Sequence, residues 1–441
     1  MIHEALIFLK STLFHSDFFY IFPTVFFTCI AGFSLLLMAK SFSYQGLTGL
    51  FKRAFHVPAR KSTTNAVQLG GLPLSFGILC GVQFLYHHPN FSRLFSTLDM
   101  YSMKYWSVCA VIVMAYGYLD DRFELRPIIK LALQITSIGV FSVLESRILF
   151  HQWSALAFVI TMFWGLGVLN GSNLLDGLDT LTIKIASVTY GTYAIIAFNF
   201  DIASTLMGAF VGISAIAAFY LFNKEPAKIH LGEIGGSFVG LFSLLLSAML
   251  FTSMYARGYA PLSCLSMSLF PLSLPMTELG ISFLRRIYNK KSPFSGDKYH
   301  IHHLLRNYYG MSPSKASSVF ALSYAVVMVV SLGITHYFGP LIGIISQVII
   351  MIGAYMSIGK KHWNGQDHLE LTPASLFDYL LKKDVSVINS LSVDSFELEI
   401  VSLEDFKGEY QENRSSLKEE DSGEDHSDRG SSHDDTHKKA A

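Results

Sequence analysis

The sequence predicts an all-α protein that crosses a membrane many times. Of its 441 residues, 51% are hydrophobic and only 15% are charged, whereas a soluble domain carries about 25% charged residues. The apolar residues also gather in runs close to the roughly 20 residues that a membrane-spanning helix needs. The formal net charge is zero, so the chain has none of the basic excess that nucleic-acid binding requires.

Eleven apolar segments are predicted to be membrane-spanning helices, and the third and fourth of them are short. The lipid bilayer is therefore expected to surround most of the chain. The segments lie at 18–39, 67–86, 104–119, 128–144, 153–169, 181–199, 204–222, 237–256, 262–284, 317–337 and 339–358.

Basic residues are distributed unequally over the loops between these segments. One set of loops holds clusters such as Arg60-Lys61, Arg285-Arg286 and Lys290-Lys291, whereas basic residues in the opposite set are few and scattered. Cytoplasmic loops carry the excess of lysine and arginine, so the first set is predicted to be cytoplasmic. The N-terminus is then periplasmic, and eleven crossings put the C-terminus in the cytoplasm.

The chain divides into four predicted regions. Residues 1–17 form a periplasmic N-terminus, and residues 18–358 form the transmembrane region with every candidate functional residue. Residues 359–407 form a cytoplasmic extension. Residues 408–441 are acidic and rich in Ser, Gly and His, which predicts a disordered tail.

The stretch 170–179, NGSNLLDGLD, carries two carboxamides and two carboxylates at a predicted membrane border. Asn170, Asn173, Asp176 and Asp179 would be costly beside hydrocarbon, and ionisable groups in such places are functional candidates by default. A bend where a helix leaves the bilayer is the alternative, because Asn-Gly and Asp-Gly favour turns.

The adjacent carboxylates of Asp120 and Asp121 are the second candidate. Adjacent carboxylates repel, and a divalent cation or nearby basic groups would explain why both occur at a membrane border. One of them could also accept a proton from a nucleophile. The alternative is a solvated turn, with Pro127 starting the next helix.

Three further loops carry groups suited to an anion. The glycines around Glu233 would let the backbone approach a phosphate before a helix begins, although a glycine-rich turn alone is a weak signal and no Walker lysine is present. Lys61 precedes a Gly-Gly turn and could bind an anion. The alternative is that it only anchors a cytoplasmic loop at the membrane surface. Arg285 precedes His300, His302 and His303, which suit a diphosphate better than zinc.

All these stretches fall on the predicted cytoplasmic side. A transport pathway would more often place its polar groups at mid-membrane, on broken helices. A single polar surface at the membrane border instead indicates a site for a soluble, charged substrate.

Together the stretches resemble the polyprenyl-phosphate N-acetylhexosamine-1-phosphate transferases of glycosyltransferase family 4. The resemblance covers roughly residues 18–358, and its SPFSGDKYHIHH segment is similar to the GlcNAc branch. The matching segments, in the family's order, are LDDRFELRP (119–127), NGSNLLDGLDTL (170–181), GEIGGSFVG (232–240) and RRIYNKKSPFSGDKYHIHH (285–303).

The resemblance implies a reaction and a role for each candidate. An undecaprenyl phosphate oxygen would attack the β-phosphorus of a UDP-N-acetylhexosamine and release UMP at a bacterial inner membrane, the first step of a lipid-linked envelope glycan. The catalytic residues would be Asp120, Asp121, Asp176 and His302. Asn173 and Glu233 would hold Mg²⁺ or Mn²⁺. Substrate contacts would come from Lys61, Asn170, Asp179, Arg285, His300 and His303.

The sequence departs from the family pattern at several of these positions. Glu233 stands where the family usually has Asp, and so does Glu278 before the double arginine. Ser62 and Gln68 stand where a His and a Pro are usual. The donor could therefore instead be UDP-FucNAc, UDP-QuiNAc or UDP-MurNAc-pentapeptide, or the protein could be a catalytically dead membrane scaffold. A homodimer is also an open alternative.

Overall fold

The computed structural model describes residues 18–44, 68–123, 125–150, 155–293, 299–307 and 309–359. Within these ranges the chain is all-helical, as predicted, with one 3₁₀ turn at Phe270–Leu272. The α-helices are α1 Phe18–Tyr44, α2 Gly71–His87, α3 Pro89–Ser92, α4 Thr97–Phe123, α5 Pro127–Phe150, α6 Ala155–Leu174, α7 Leu181–Asn199, α8 Ala203–Asn223, α9 Gly232–Ala256, α10 Pro261–Leu269, α11 Ser273–Tyr288, α12 Ile301–Asn307, α13 Pro313–Phe338 and α14 Pro340–Gly359.

Each of the eleven predicted apolar segments coincides with a helix or, for 262–284, with α10, the 3₁₀ turn and α11 together. Within the described ranges, six helical segments are long and apolar enough to cross a membrane: α7, α8, α9, Pro261–Tyr288, α13 and α14. Parts of α1, α2, α5 and α6 are apolar but shorter. The chain therefore has the helices of a multi-pass membrane protein, while the eleven crossings and the orientation of the termini stay predictions.

Helix α9 is the centre of the bundle, and its apolar window is buried along its whole length. It packs most extensively against α4 and α6. Small residues let the helices approach closely, since a Cβ on Gly240 would lie 3.0 Å from the Cα of Leu169 in α6. Trp106 of α4 donates its indole N–H to the carbonyl of Leu241 at 2.9 Å. This packing fixes the N-terminus of α9, where the candidate site lies.

The buried carboxylate of Asp99 joins the N-terminus of α4 to the C-terminal end of α9. Asp99 and Ser96 exchange side-chain and backbone hydrogen bonds at 3.0 and 3.1 Å, which is the geometry of a capping box. The Asp99 carboxylate also accepts bonds from the hydroxyls of Thr252, at 2.8 Å, and Ser253, at 3.0 Å. These bonds satisfy a carboxylate that would otherwise be costly to bury.

The outward faces of α13 and α14 are apolar. Leu322, Val329, Phe338 and Ile349 are each at least 63% exposed. An apolar face of this extent is unusual on a protein surrounded by water. It is the surface expected of helices that contact lipid.

Candidate active site

A cavity of about 250 Å³ lies where the N-terminus of α9 meets the ends of α4, α6 and α8. Five predicted site residues from three separate motifs contribute to its wall. The lining residues are Gln68, Asp121, Asn173, Asp176, Gly177, Leu178, Asp179, Asn223, His230, Leu231, Gly232 and Glu233.

The Gly-Gly turn before α2 docks against the loop before α9. The N–H groups of Gly70 and Gly71 donate to the carbonyls of His230 and Leu231 at 3.0 and 2.7 Å. Gly232 has φ = 74°, and a Cβ there would lie 2.4 Å from the Gln68 carbonyl oxygen. Both the backbone conformation and the close approach require glycine at this position.

Asp121, which follows the predicted span 104–119, caps the N-terminus of α9. Its two carboxylate oxygens accept the N–H groups of Glu233 and Ile234 at 2.8 and 3.2 Å. These donors are unpaired within any helix, and they favour a negative charge. Burial nevertheless raises the pKa of Asp121 to about 7, although the two backbone hydrogen bonds lower it. The negative charges of Glu233 and Asp120 raise the pKa further. A carboxylate with this pKa is suited to accept a proton near neutral pH.

Lys130, near the start of α5, joins two carboxylates and was missed by the sequence analysis. Its Nζ lies 3.1 Å from Oδ2 of Asp120 and also bonds the Glu233 carboxylate. Asp120 additionally accepts the N–H of Leu125 at 2.9 Å. The available signal was a charged residue inside the apolar segment 128–144, which suggested only a lysine reaching toward the membrane surface.

The charges in this part of the site suit a divalent cation. The carboxylates of Asp120, Asp121 and Glu233 are opposed by Lys130, which leaves negative charge in excess. Within the described ranges no group of three or more His, Cys, Asp or Glu side chains could hold a metal ion alone. Mg²⁺ is usually held by one or two carboxylates, with water and substrate phosphates completing its shell. The oxygen donors around the cavity fit that mode of binding.

The two predicted asparagines have different surroundings. Asn173 lines the cavity, and its Nδ2 donates to Ser237 Oγ at 2.9 Å. Its Oδ1 lies against Gly236, where a Cβ would be only 2.1 Å away. Asn170 lies one helical turn earlier and donates to Gln134 Oε1 at 3.1 Å and to its own helix. Asn170 therefore joins α6 to α5 and is not among the residues that line the cavity.

Asp176 and Asp179 lie in the turn after α6. Asp176 is exposed, and its Oδ1 accepts the hydroxyl of Thr182 at 3.0 Å. Asp179 lies 3.5 Å from Nδ1 of His230. His230 belonged to the glycine-rich stretch but was not predicted as a site residue, because nothing in the sequence brings it to Asp179. The two form a polar pair in the cavity wall.

The three predicted histidines form a packed group outside the lining of the cavity. The rings of His300 and His302 are parallel within 4° at 5.6 Å, and His303 is 4.2 Å from His302. Burial lowers the pKa of His302 well below its usual range, and His303 and His300 lower it further. Neither ring nitrogen of His302 has a hydrogen-bond partner among the residues that the structure describes.

Gly177 is the link between this group and the cavity. A Cβ on Gly177 would lie 2.1 Å from Nε2 of His302, and Gly177 itself lines the cavity. The histidine ring therefore lies directly behind one residue of the cavity wall.

Arg285 holds the segment that leads into the histidines. It is buried, and its Nη1 donates to the carbonyl of Tyr299 at 3.0 Å and to the hydroxyl of Tyr355. The Tyr355 hydroxyl also donates to the Tyr299 carbonyl at 2.8 Å. Arg285 thus joins α11, the start of α12 and α14, and it does not line the cavity. Lys61, the remaining predicted contact, lies outside the described residues.

Comparison with known proteins gives a consistent result. Residues 103–252 match the model of glycosyl transferase family 4. A Bacillus subtilis protein named "probable undecaprenyl-phosphate N-acetylglucosaminyl 1-phosphate transferase" is 29% identical over 257 residues, covering 54% of this chain and 65% of that protein. The chain thus spans just under two thirds of the length of that relative.

Two further relatives are undecaprenyl-phosphate alpha-N-acetylglucosaminyl 1-phosphate transferases. The Yersinia pestis protein is 25% identical over 254 residues, which are 54% of this chain and 68% of that protein. The Salmonella typhi protein is 23% identical over 315 residues, which are 67% of this chain and 81% of that protein.

Proposed function

We propose that the chain, whose residues 103–252 match the model of glycosyl transferase family 4, transfers GlcNAc-1-phosphate from UDP-GlcNAc to undecaprenyl phosphate. The products are undecaprenyl-diphospho-GlcNAc and UMP, formed at the cytoplasmic face of a bacterial inner membrane. The relatives' names supply the lipid acceptor and the sugar phosphate. The observation that carries the proposal is the cavity, since its wall combines carboxylates from three motifs at one end of an apolar bundle.

In the proposed reaction, a phosphate oxygen of the lipid forms a bond to the β-phosphorus of the donor. The bond from that phosphorus to the oxygen of UMP breaks, and UMP leaves with the electron pair. Phosphoryl transfer depends mainly on positioning and on neutralisation of charge. Asp121 and Asp120 would position the lipid phosphate and accept its proton when it arrives protonated.

Asn173 and Glu233 would hold Mg²⁺ or Mn²⁺. When bound, the ion supplies positive charge against the diphosphate. Lys130 balances Asp120 and Glu233 in this structure, so it keeps the two carboxylates from repelling each other. Asp121 keeps the first turn of α9 in place through its two backbone bonds.

The turn after α6 would hold the nucleotide end of the donor. Asp176, Asp179 and His230 give that part of the wall both donors and acceptors, as specific binding of a small polar ligand requires. Asp176 is oriented by Thr182. Asn170 and Arg285 would support this arrangement through the contacts described above.

The histidines would stabilise phosphate charge, together with Lys61. His302 lies behind Gly177, so a movement of the loop at 175–179 would be needed before its ring could contact a phosphate. The proposal also includes eleven crossings, a periplasmic N-terminus and a cytoplasmic C-terminus. These follow from the basic loops.

The test is to incubate the purified protein with undecaprenyl phosphate, Mg²⁺ and a panel of UDP-sugars, and to score UMP release for each. The panel contains the GlcNAc, FucNAc, QuiNAc and MurNAc-pentapeptide donors. We expect the largest rate with UDP-GlcNAc. Release with a different donor would change the sugar, and no release with any donor from folded protein would favour the scaffold function.

A further inference from the structure

We propose that Glu278 is a positioning residue of the active site, which acts through His300 to hold the paired rings of His300 and His302 behind Gly177. The inference rests on the proposed function, because it concerns the histidines assigned to phosphate charge. No step of the reaction requires Glu278 to touch a substrate. Its role is to fix the position and the tautomer of a histidine.

The burial of Glu278 is the first observation. It lies in α11, within the apolar segment Pro261–Tyr288, and its side chain is only 1% exposed. A carboxylate in such a place is costly unless it is paired. A residue kept there at that cost needs a specific partner.

The partner is His300. Its Nδ1 lies 2.9 Å from Oε1 of Glu278, and its side chain is also buried. Ser282, one helical turn after Glu278, places its hydroxyl 3.3 Å from the same nitrogen. Both contacts come from one face of α11, so the helix presents a prepared site for one side of the imidazole ring.

This contact decides which nitrogen of His300 carries a proton. A carboxylate accepts a hydrogen bond from Nδ1–H, so the neutral ring has its lone pair on Nε2. A carboxylate behind a functional imidazole fixes the tautomer and the ring orientation in the same way at metal and catalytic sites. Glu278 therefore makes Nε2 the unprotonated nitrogen of the neutral His300 ring.

His300 is connected to the cavity wall through the ring of His302. His300 is parallel to His302 within 4°, and His302 lies against Gly177, a residue of the cavity wall. His302 has no hydrogen bond of its own within the part of the chain that is described. Its position thus depends on packing against neighbours such as His300.

The test combines single and double variants of the purified full-length protein. Turnover and KM for UDP-GlcNAc are measured for Glu278→Gln, Glu278→Asp, His300→Gln and the double variant Glu278→Gln/His300→Gln. We expect Glu278→Gln to lower kcat by about 10–100-fold with little change in KM, as with other residues that orient a functional histidine. Glu278→Asp keeps the carboxylate and should recover most of that loss.

The double variant separates positioning from a general effect on folding. If Glu278 acts through His300, the double variant should be no slower than His300→Gln alone. Multiplied losses would overturn the proposal, and so would an unchanged kcat in Glu278→Gln. Should Glu278→Gln fail to fold, Ser282→Ala removes the neighbouring 3.3 Å contact and should still lower kcat severalfold; an unchanged kcat there would overturn the proposal.

Asp99→Asn is the matched control. It also converts a buried carboxylate to an amide, at the opposite end of α9 and about 28 Å from Glu233 along that helix at 1.5 Å per residue. It should lower the Tm but not kcat, and an equal loss of kcat would overturn the proposal. Wild-type protein that releases no UMP would refute the proposed function and this role with it. Active wild-type protein with multiplied losses would refute only the role of Glu278.

Discussion

The two sides of the candidate site are built on different principles. The carboxylate side is held by charge, and two of its four residues, Asp121 and Glu233, line the cavity. Lys130 bridges two of its carboxylates, and the third accepts two backbone N–H groups. It consists of Asp120, Asp121, Glu233 and Lys130.

The histidine side is held by packing and lies behind the wall of the cavity. Its rings stack on one another, and the buried carboxylate of Glu278 lies 2.9 Å from Nδ1 of His300. His302 is fully buried, and neither of its ring nitrogens has a hydrogen-bond partner among the described residues. This side consists of His300, His302, His303 and Glu278.

The difference indicates what a donor must do on binding. On the carboxylate side, Asp121 and Glu233 already line the cavity, so a cation and a diphosphate could bind there with small side-chain movements. On the histidine side, the loop that contains Gly177 would first have to move before the ring of His302 could contact a ligand. We therefore expect substitutions of the carboxylates Asp121 and Glu233 to affect turnover more strongly than packing changes on the histidine side.

The largest effect is expected at Glu233. Glu233→Gln should abolish metal-dependent UMP release, because a neutral amide is a poorer ligand for a hard divalent ion. Glu233→Asp should keep activity, since it restores the residue usual in the family. Turnover is measured against Mg²⁺ and Mn²⁺ concentration. If both variants behave like the wild-type protein, Glu233 is not the metal ligand.

Asp121→Asn should lower turnover by on the order of a hundredfold or more, if Asp121 is a base or charge partner. The amide can accept only one of the two N–H groups at the start of α9, so unfolding should also become easier by about 1 kcal/mol. Kinetics and thermal unfolding are both recorded. Asp201→Asn, at an exposed loop aspartate, serves as the control, and equal turnover in the two variants would remove Asp121 from the mechanism.

Gly177→Ala tests whether the histidine side depends on close packing. The new Cβ would displace His302, so we expect turnover to fall by about tenfold, as a small misplacement of a functional group can cost up to a hundredfold. Gly280→Ala adds the same methyl group where nothing lies within 4 Å. A similar loss in both variants, or in neither, would contradict the assigned role of His302.

Lys130→Met should change the metal dependence more than the maximal rate. Removal of its positive charge leaves Asp120 and Glu233 free for a cation, so the half-saturating Mg²⁺ concentration should fall by up to about fivefold, the scale of a partly exposed ion pair. Lys130→Arg keeps the charge and is the control. A rise in the Mg²⁺ requirement for Lys130→Met would show that the lysine itself binds substrate.

The smallest effect on activity is expected from surface cysteine substitutions. They test whether both sides of the candidate site lie on the cytoplasmic face of the membrane. Cysteine is introduced at Lys228, near the carboxylate side, at Arg306, near the histidine side, and at Arg93, all exposed positions. An impermeant reagent added to sealed cells should label only the Arg93 variant above the wild-type background. Efficient labelling at Lys228 or Arg306 would contradict the cytoplasmic site.

The amino-acid sequence was enough to predict the helix positions within the described ranges and the three motifs that meet at the cavity. Apolar run length is a local property, so the segment 181–199 coincides with α7 and 204–222 with α8 to within a residue at each end. The short helices α3 and α12 were not predicted, because neither is long or apolar enough to leave a pattern. The motif carboxylates share the cavity because each ends or begins a helix on the same predicted face.

The partner of each polar group could not be predicted from the sequence. Lys130 and Glu233 are 103 residues apart in sequence, and no local pattern pairs them. The substrate contacts of Asn170 and Arg285 stay predictions, and the sequence did not indicate that Asn170 bonds Gln134 or that Arg285 bonds Tyr299 and Tyr355. The physical reason is that helix rotation and packing set the direction of a side chain, whereas composition sets only whether a helix forms and is buried.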